Sequence, residues 1–470
     1  MIGILLENNA FEQDVRELLM AFYPGESYAH EKKKECSFYI KGGRTGEEFV
    51  LECFDANEDG TETLSWHTLV PYPEEASRLE VKNIIKRRLY QFLKERTGKE
   101  LPWGTLTGIR PTKIPMSLLE QGKSEDEIAR YMKETYYTSD EKIGLSIEIA
   151  KRERELLSAI DYQNGYSLYI GIPFCPTTCL YCSFTSYPIS KWKGRTGQYL
   201  DALFNEMADV AELMKGKTLD TVYFGGGTPT ALSAEDLELL LSKLEALFDL
   251  SQVKELTVEA GRPDSITREK LEVLKRHQVT RISINPQTMK QETLDLIGRR
   301  HTVEDVKEQF YLAREMGFDN INMDLIIGLP GERLEDVAYT MEEMKVLKPD
   351  SITVHSLAIK RASRLNLLKE QYDGMSCTNP EEMIALTAKV SRELGLAPYY
   401  LYRQKNMAGN FENVGYAAPG KAGIYNILIM EEKQSIIACG AGTSTKVVFP
   451  AENRLERVEN VKDVDQYISR

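Results

Sequence analysis

The sequence predicts an α/β fold: a partial, open (β/α)6 barrel with a small α+β domain before it and an α+β domain after it. Two observations carry this. From residue 165 onward, six short runs rich in β-branched and aromatic residues alternate with stretches of helical periodicity: SLYIGIP, DTVYF, ELTVEA, TRISI, NINMDLI and SITVHS. Strands joined by helical crossovers return to the same end of a sheet and pair in parallel. Active groups in such barrels sit at the carboxyl ends of the strands, where the motifs described below fall.

The N-terminal segment reads as strands SFYIK and EEFVLECF around the turn-forming GGRTG, then an amphipathic helix over 73–99 closed near Gly98. A Gly-, Pro- and Thr-rich loop, PWGTLTGIRPTK at 102–113, leads into helices over 124–134 and 139–160. Beyond the barrel come a helix over 380–396, a Gly/Asn-rich stretch, and YNILIM with SIIACGAG, which read as a hairpin. The resulting domains are 1–160, 161–370 for the barrel, and 371–470 as a substrate-contact domain.

With 470 residues, 42% of them hydrophobic, the chain can bury at least one large core. A net charge of −13 argues against nucleic acid as a partner; the short run from Lys32 to Lys34 is flanked by glutamates. The N-terminal MIGILLENNAFEQDV lacks the features of a signal peptide, and no apolar run is long enough for a membrane span, so a cytoplasmic protein is expected. Seven cysteines are an odd set for a disulfide scaffold. Cys36, Cys53, Cys377 and Cys439 are scattered and read as packing residues.

Cys175, Cys179 and Cys182 instead form C-x3-C-x2-C directly after the strand ending at Pro173. Structural zinc takes four ligands, usually from two knuckles, and no second knuckle exists; zinc remains the alternative for the cysteines taken alone. Three thiolates suit a [4Fe–4S] cluster with one open iron. Such an iron chelates S-adenosylmethionine (SAM), whose sulfonium is cleaved by an electron from the cluster to give a 5′-deoxyadenosyl radical. FGGGTPT, ending the second strand, lets backbone approach a ligand closely. Glu259 ends the third strand, Gln287 follows the fourth, and Asp324 interrupts the apolar fifth; together they line one rim.

YIGIPFCPTTCLYC, GGGTPT and MDLIIGLPGE resemble the signature of the oxygen-independent coproporphyrinogen III oxidase group of radical SAM proteins, over about residues 165 to 365. WGTLTGIRPTK and LYRQKNMAGNFENVGY resemble its HemZ-like branch. The resemblance implies Cys175, Cys179 and Cys182 as cluster ligands, with Tyr169, Gly226 and Glu259 contacting SAM. Tyr181, Gly227, Thr228, Gln287, Arg299, Asp324 and Ala358 would serve a second SAM. Cys175, Cys179, Cys182, Tyr169 and Glu259 would form the catalytic set. Arg299 and Asp324, from later repeats, are expected on the far side of the barrel from the cysteine loop.

The implied reaction is oxidative decarboxylation of coproporphyrinogen III propionates to vinyls, on a tetrapyrrole substrate, with an electron donor such as flavodoxin or ferredoxin. Arg403, Lys405 and Lys421 are candidate propionate partners, though solvated charges would read the same. Two departures stand out: Gly171 replaces the family's His before the cluster, and Ser183-Phe184 replaces a Cys-Gly-Cys. A haem-binding chaperone of the same superfamily, with His301 or His355 as candidate haem ligands, and a tetrapyrrole methyltransferase are the alternatives.

Overall fold

The computed structural model describes all residues except 8–10, 32, 34, 58–59, 359–362, 368–379, 405–410 and 453. Cys377 and Lys405 therefore lie outside the described residues. By compactness the chain forms two units: residues 1–147 with 403–412, and 148–402 with 413–470.

In the first unit, β1 (Ile2–Leu6), β2 (Tyr28–Ala29), β3 (Phe38–Thr45), β4 (Glu48–Ala56) and β5 (Glu62–Pro71) form a sheet of order β2-β1-β3-β4-β5. Helices α1 (Glu12–Phe22) and α2 (Arg78–Thr97) supply Val15, Leu18, Leu19, Ile85, Leu89 and Leu93 to a core shared with Ile2, Ile4, Phe49 and Leu51. Gly98 ends α2 in the left-handed region (φ 67°), its N–H donating to the Lys94 carbonyl, as the sequence suggested. The GGRTG turn is shorter than expected. Gly42 and Gly43 lie within β3, where a Cβ on Gly42 would stand 2.4 Å from the Val50 carbonyl oxygen, and the chain reverses around Gly46.

Helices α3 (Lys113–Glu120), α4 (Glu125–Tyr136) and α5 (Asp140–Leu157) follow; Ser124 and Glu127 close a capping box on α4. Residues 403–412 return to this unit. Arg403 donates its backbone N–H to the Ile109 carbonyl (2.8 Å) and Nη1 to that of Leu106 (2.6 Å). The buried Glu412 accepts from Trp103 Nε1 and Lys142 Nζ, both at 2.7 Å.

The second unit holds the barrel. β6 (Gly165–Ile172) precedes the two-residue strands β7 (Phe174–Cys175) and β8 (Tyr187–Pro188). Then come α6 (Thr196–Leu213), β9 (Thr218–Gly226), α7 (Ala234–Leu247), β10 (Glu255–Glu259), α8 (Arg268–Arg276), β11 (Arg281–Ser283), α9 (Gln291–Leu296), α10 (Val303–Glu315), β12 (Ile321–Ile327), α11 (Leu334–Leu347) and β13 (Ser351–Ser356). The six long strands pair in parallel, in sequence order, from β6 to β13. All six strands expected from sequence are present, and each crossover carries a helix.

After β13 come α12 (Arg364–Leu367), α13 (Pro380–Glu393), β14 (Ala397–Tyr402), β15 (Asn413–Ala417), α14 (Ile424–Glu431), β16 (Ser435–Cys439), β17 (Ser444–Phe449), β18 (Arg454–Glu459) and α15 (Val464–Ile468). The hairpin read from YNILIM and SIIACGAG is corrected: the first is α14, and the second supplies β16, which pairs in parallel with β6. Ile424, Ile427 and Leu428 sit at helical spacing and pack with Tyr399, Tyr400 and Ala417, and a parallel partner for β6 requires a crossover. Both ends of the sheet are extended, since β15 and β14 continue antiparallel beyond β13, so residues 413–470 share the barrel's sheet. Among the described residues no helix is long and apolar enough to cross a membrane.

Inward positions on these strands are polar. Thr221 donates to Ser167 (2.8 Å) and Ser167 to Gln434 (2.7 Å), while Arg281 donates to Ser351 (3.1 Å) and Ser351 to Asn322 (3.0 Å), all buried. In the first unit, Glu412→Ala would leave the Trp103 N–H facing a hole and the buried Lys142 ammonium with the exposed Glu141 carboxylate (2.9 Å) in place of its buried partner. The expected loss is about 3–5 kcal/mol, read as a lowered urea midpoint, and an unchanged midpoint would mean water already satisfies both groups.

Candidate functional site

The cysteine loop leaves the carboxyl end of β6 and is pinned by its neighbours. The glycine turn after β9 donates Gly227 N–H to the Ile172 carbonyl and Thr228 N–H to that of Phe174, both at 2.7 Å. Gly226 sits at φ 108°, a conformation only glycine adopts easily. A Cβ on Gly227 would lie 2.6 Å from the Phe174 carbonyl oxygen and 3.0 Å from Cys175 Sγ, so this backbone runs beside the thiol because it carries no side chain. Burial pushes the Cys175 thiol up to about 11, against a hydrogen bond from Thr228 Oγ1 at 3.5 Å.

On its other flank the loop crosses to the segment after α9, Leu180 N–H donating to the Ile297 carbonyl (2.9 Å) and Thr177 Oγ1 to that of Gly298 (3.2 Å). Arg299 is thereby brought against the loop, where its guanidinium lies beside Tyr181 and Cys179 and donates Nη1 to the Asn285 carbonyl. The expectation that Arg299 lies far from the cysteines is overturned: two strands separate it in the sheet, but the loop reaches over to it. Arg262, 3% exposed, donates Nη1 to Cys179 Sγ at 3.5 Å and is held by Asp264 in a two-pronged pair at 2.9 and 2.7 Å.

Inside the barrel mouth, Tyr169 of β6, Tyr223 of β9 and Tyr425 of α14 form a stack, with Tyr223 and Tyr425 ring centroids 4.4 Å apart and Tyr169 at 6.0 and 6.2 Å from them. Tyr223 donates its hydroxyl to Glu259 Oε1. Burial lifts the Glu259 carboxyl to about 7, opposed by that hydrogen bond and raised further by the nearby Asp324 charge. Asp324 goes the other way. Burial would raise it, but the neighbouring His355 imidazole and the hydrogen bond from Asn322 hold it below the usual carboxylate range. Asn322 Nδ2 lies 2.7 Å from Asp324 Oδ1, His355 Nε2 lies 3.7 Å from Oδ2, and His355 Nδ1 lies 3.2 Å from the Tyr402 hydroxyl.

Gln287 takes a left-handed backbone (φ 69°) that lets its N–H reach the Asp324 carbonyl (3.0 Å), and its buried Oε1 has no hydrogen-bond partner among the described residues. Ser283 Oγ is likewise buried without a partner. Ala358 follows the end of β13 and is half-buried.

Other expectations fare differently. Gly171 is explained by packing: a Cβ there would strike Thr443 at 2.3 Å, so the turn between β16 and β17 occupies the place of a side chain. Lys421 pairs with Asp319 (3.0 Å) and Arg403 is buried in the first unit, so neither stands in an open cationic group. His301 is 1% exposed; burial, then the Arg299 charge, brings it down to about 3 and keeps it neutral, and His355 is engaged by Asp324 and Tyr402. Tyr223, Tyr425, Arg262 and Asn322 were missed as site residues, and His355 was considered only as a haem ligand. A period-two signal was available for some: Glu255, Thr257 and Glu259, Asn322 and Asp324, and Ser351, Thr353 and His355 put polar residues at every second position of otherwise apolar strands.

Residues 169–344 match the radical SAM superfamily. The chain is 41% identical over 466 residues to the oxygen-independent coproporphyrinogen-III oxidase-like protein HemZ of Bacillus subtilis (strain 168), spanning 95% of this chain and 92% of that protein. It is 39% identical over 195 residues to heme chaperone HemW of the same organism, spanning 41% of this chain and 51% of HemW. The structure of coproporphyrinogen III oxidase (HemN) from Escherichia coli shares the fold, with a TM-score of 0.54 over 67% of this chain and 71% of that one at 23% identity. The chain belongs to the radical SAM superfamily and, within it, to the coproporphyrinogen oxidase-like family of HemZ.

Proteins of this superfamily use a [4Fe–4S] cluster and SAM, and the residues present fit both. Three soft thiols share one braced loop, Gly227 leaves room against Cys175, and Gln287 Oε1 and Ser283 Oγ await donors or acceptors. Among the described residues no three His, Cys, Asp or Glu side chains are gathered tightly enough for one metal ion; in a cluster each thiolate takes its own iron.

Removing the Tyr223 hydroxyl takes away a hydrogen bond that favours the Glu259 carboxylate. In Tyr223→Phe the Glu259 titration, followed by carboxyl carbon NMR, is expected to move above its starting value near 7. A downward move would show that the phenol stabilises the protonated acid instead.

Proposed function

We propose that the chain binds a [4Fe–4S] cluster through Cys175, Cys179 and Cys182, holds SAM at the barrel mouth, and oxidatively decarboxylates propionate side chains of a porphyrinogen of the coproporphyrinogen III type. One observation carries the reading: beyond the cysteine loop the barrel strands gather the stacked Tyr169 and Tyr223, the Tyr223–Glu259 hydrogen bond and the Asp324–His355 pair, with Gln287 Oε1 and Ser283 Oγ buried and without a hydrogen-bond partner among the described residues. The HemZ relative, named for the oxidase reaction, supports the choice of substrate.

When bound, the cluster and SAM supply a 5′-deoxyadenosyl radical on one-electron reduction. The chain's own residues do the rest. Glu259, partly buried and titrating near 7, accepts hydrogen bonds from ribose hydroxyls or the amino group of SAM. Tyr169 and Gly226 form the wall beside it, while Arg262 and Arg299 offset the negative charge of thiolates and sulfides next to Cys179. Tyr181, Gly227, Thr228, Gln287, Arg299, Asp324 and Ala358 serve a second SAM or the substrate end, and Arg299 now also braces the cysteine loop. The propionate loses a β-hydrogen atom, carbon dioxide and one electron; a C–H and a C–C bond break and the vinyl double bond forms, the electron passing to an acceptor outside the chain. A low-potential donor and a cytoplasmic location accompany this reading.

Anaerobic reconstitution is expected to give about four irons and four sulfides per chain. Cys175→Ala, Cys179→Ala and Cys182→Ala should each lose them, whereas Ser at Cys36, Cys53, Cys377 or Cys439 should not. Cluster loss on changing Cys377 would mean a fourth protein ligand and no open iron.

Glu259→Ala should weaken SAM binding roughly ten- to hundredfold in a folded, cluster-loaded protein, measured by equilibrium dialysis. Unchanged affinity would remove Glu259 from the site. With SAM, dithionite and coproporphyrinogen III, mass analysis should show products lighter by the mass of formic acid for each propionate converted. Methylated products, or intact porphyrinogen together with stoichiometric haem binding, would replace the decarboxylase by a methyltransferase or a haem carrier.

A further inference from the structure

Acidic residues are unevenly spread along this chain. It contains 72 Asp and Glu, yet none falls within 162–200, where the chain average would place about six. That stretch comprises β6, the cysteine loop and the segment after it, and its only charged side chains are Lys191, Lys193 and Arg195.

The fold turns this composition into a surface beside the cysteines. Through β7 and β8, Phe174 pairs with Tyr187 and Cys175 with Pro188, and Tyr187 N–H donates to the Pro173 carbonyl (2.8 Å). Trp192 is buried against Phe174 and Tyr187, at ring separations of 5.7 and 6.0 Å, and acts as an anchor whose sequence neighbours Lys191 and Lys193 are exposed. Neither lysine has an ion-pair partner among the described residues. Two acids, Asp463 and Asp465, lie beside Tyr187, and Asp465 is engaged by Arg195, which also stacks over Trp192 at 4.6 Å. Phe184, two residues past Cys182, is 70% exposed.

A chain of net charge −13 repels acidic partners over most of its surface, so a face built on a segment without acids, with two lysines lacking ion-pair partners among the described residues and an exposed aromatic ring, is where such a partner is admitted. We infer that Phe184, Lys191 and Lys193 form the docking surface for a small acidic flavoprotein that delivers the electron to the cluster; this rests on the cluster assigned above to Cys175, Cys179 and Cys182. A flavin shows a flat apolar ring edge that suits Phe184, and carboxylates around it suit the lysines. The reduced flavin loses one electron and the cluster gains it, with no carbon bond made or broken.

The test uses the full chain, cluster-free and cluster-loaded, with purified flavodoxin, binding being read by flavin fluorescence anisotropy at increasing salt. Affinity should fall steeply with salt. The double variant K191E/K193E should bind roughly tenfold more weakly at low salt with a flattened salt dependence, while Phe184→Ser weakens binding without changing the salt slope. Dithionite-driven SAM cleavage should be unchanged in K191E/K193E, while flavodoxin-driven cleavage falls in step with binding. Full binding by the double variant would overturn the surface, and equal binding of an acidic ferredoxin with the same losses would overturn the flavin assignment. Absence of dithionite-driven cleavage in the unaltered chain would instead overturn the cluster reading, which the cluster-free binding data do not depend on.

Discussion

Polar side chains on the concave side of a parallel sheet must be satisfied away from bulk water, and that constraint organises this molecule. In its lower layer the groups answer one another: Ser167, Thr221 and Gln434 on one side, and Arg281, Ser351, Asn322 and Thr353 on the other. Toward the carboxyl ends Asn322 links that layer to Asp324, and Tyr223 completes one oxygen of Glu259. At the rim, Gln287 Oε1 and Ser283 Oγ are buried without a hydrogen-bond partner among the described residues, as is Arg281 Nε below them. Unpaired buried polar atoms are costly, so Gln287 Oε1 and Ser283 Oγ, beside Asp324 and Glu259, are places where a polar ligand can complete the structure.

The same layer separates two carboxylates by environment. Glu259 and Asp324 are both half-buried and repel each other, yet Asp324 has His355 and Asn322 to hold its charge while Glu259 has the phenol of Tyr223. One acid is thereby kept ionised and the other is poised near neutrality, a division that suits one group to fixed recognition and the other to a ligand whose hydroxyl or amino groups shift its balance.

Much of this was legible in the sequence because it is local. The six strands, the helix ended at Gly98, the thiol spacing, and the lone carboxylate of Asp324 in an apolar strand are all visible within a dozen residues. What was not legible depends on distant segments meeting. Arg299 reaches the cysteines because Leu180 pairs with Ile297, Gly171 is fixed by Thr443, and Tyr425 joins Tyr169 and Tyr223 from a helix more than two hundred positions away. The misread hairpin has the same origin: nothing local to SIIAC announces that its partner is β6. Arg262 and Asp264, two apart after β10, form a self-contained pair whose aim at Cys179 appears only once the loop is folded over them.

The central claim is that three cysteines hold a cluster whose fourth iron is free to take SAM. Electron paramagnetic resonance of the anaerobically reconstituted and reduced protein, recorded before and after adding SAM, tests it most directly. The account predicts a reduced-cluster signal whose g values shift when SAM enters. Identical spectra in the presence of saturating SAM would contradict it, since no iron would then be open to the ligand.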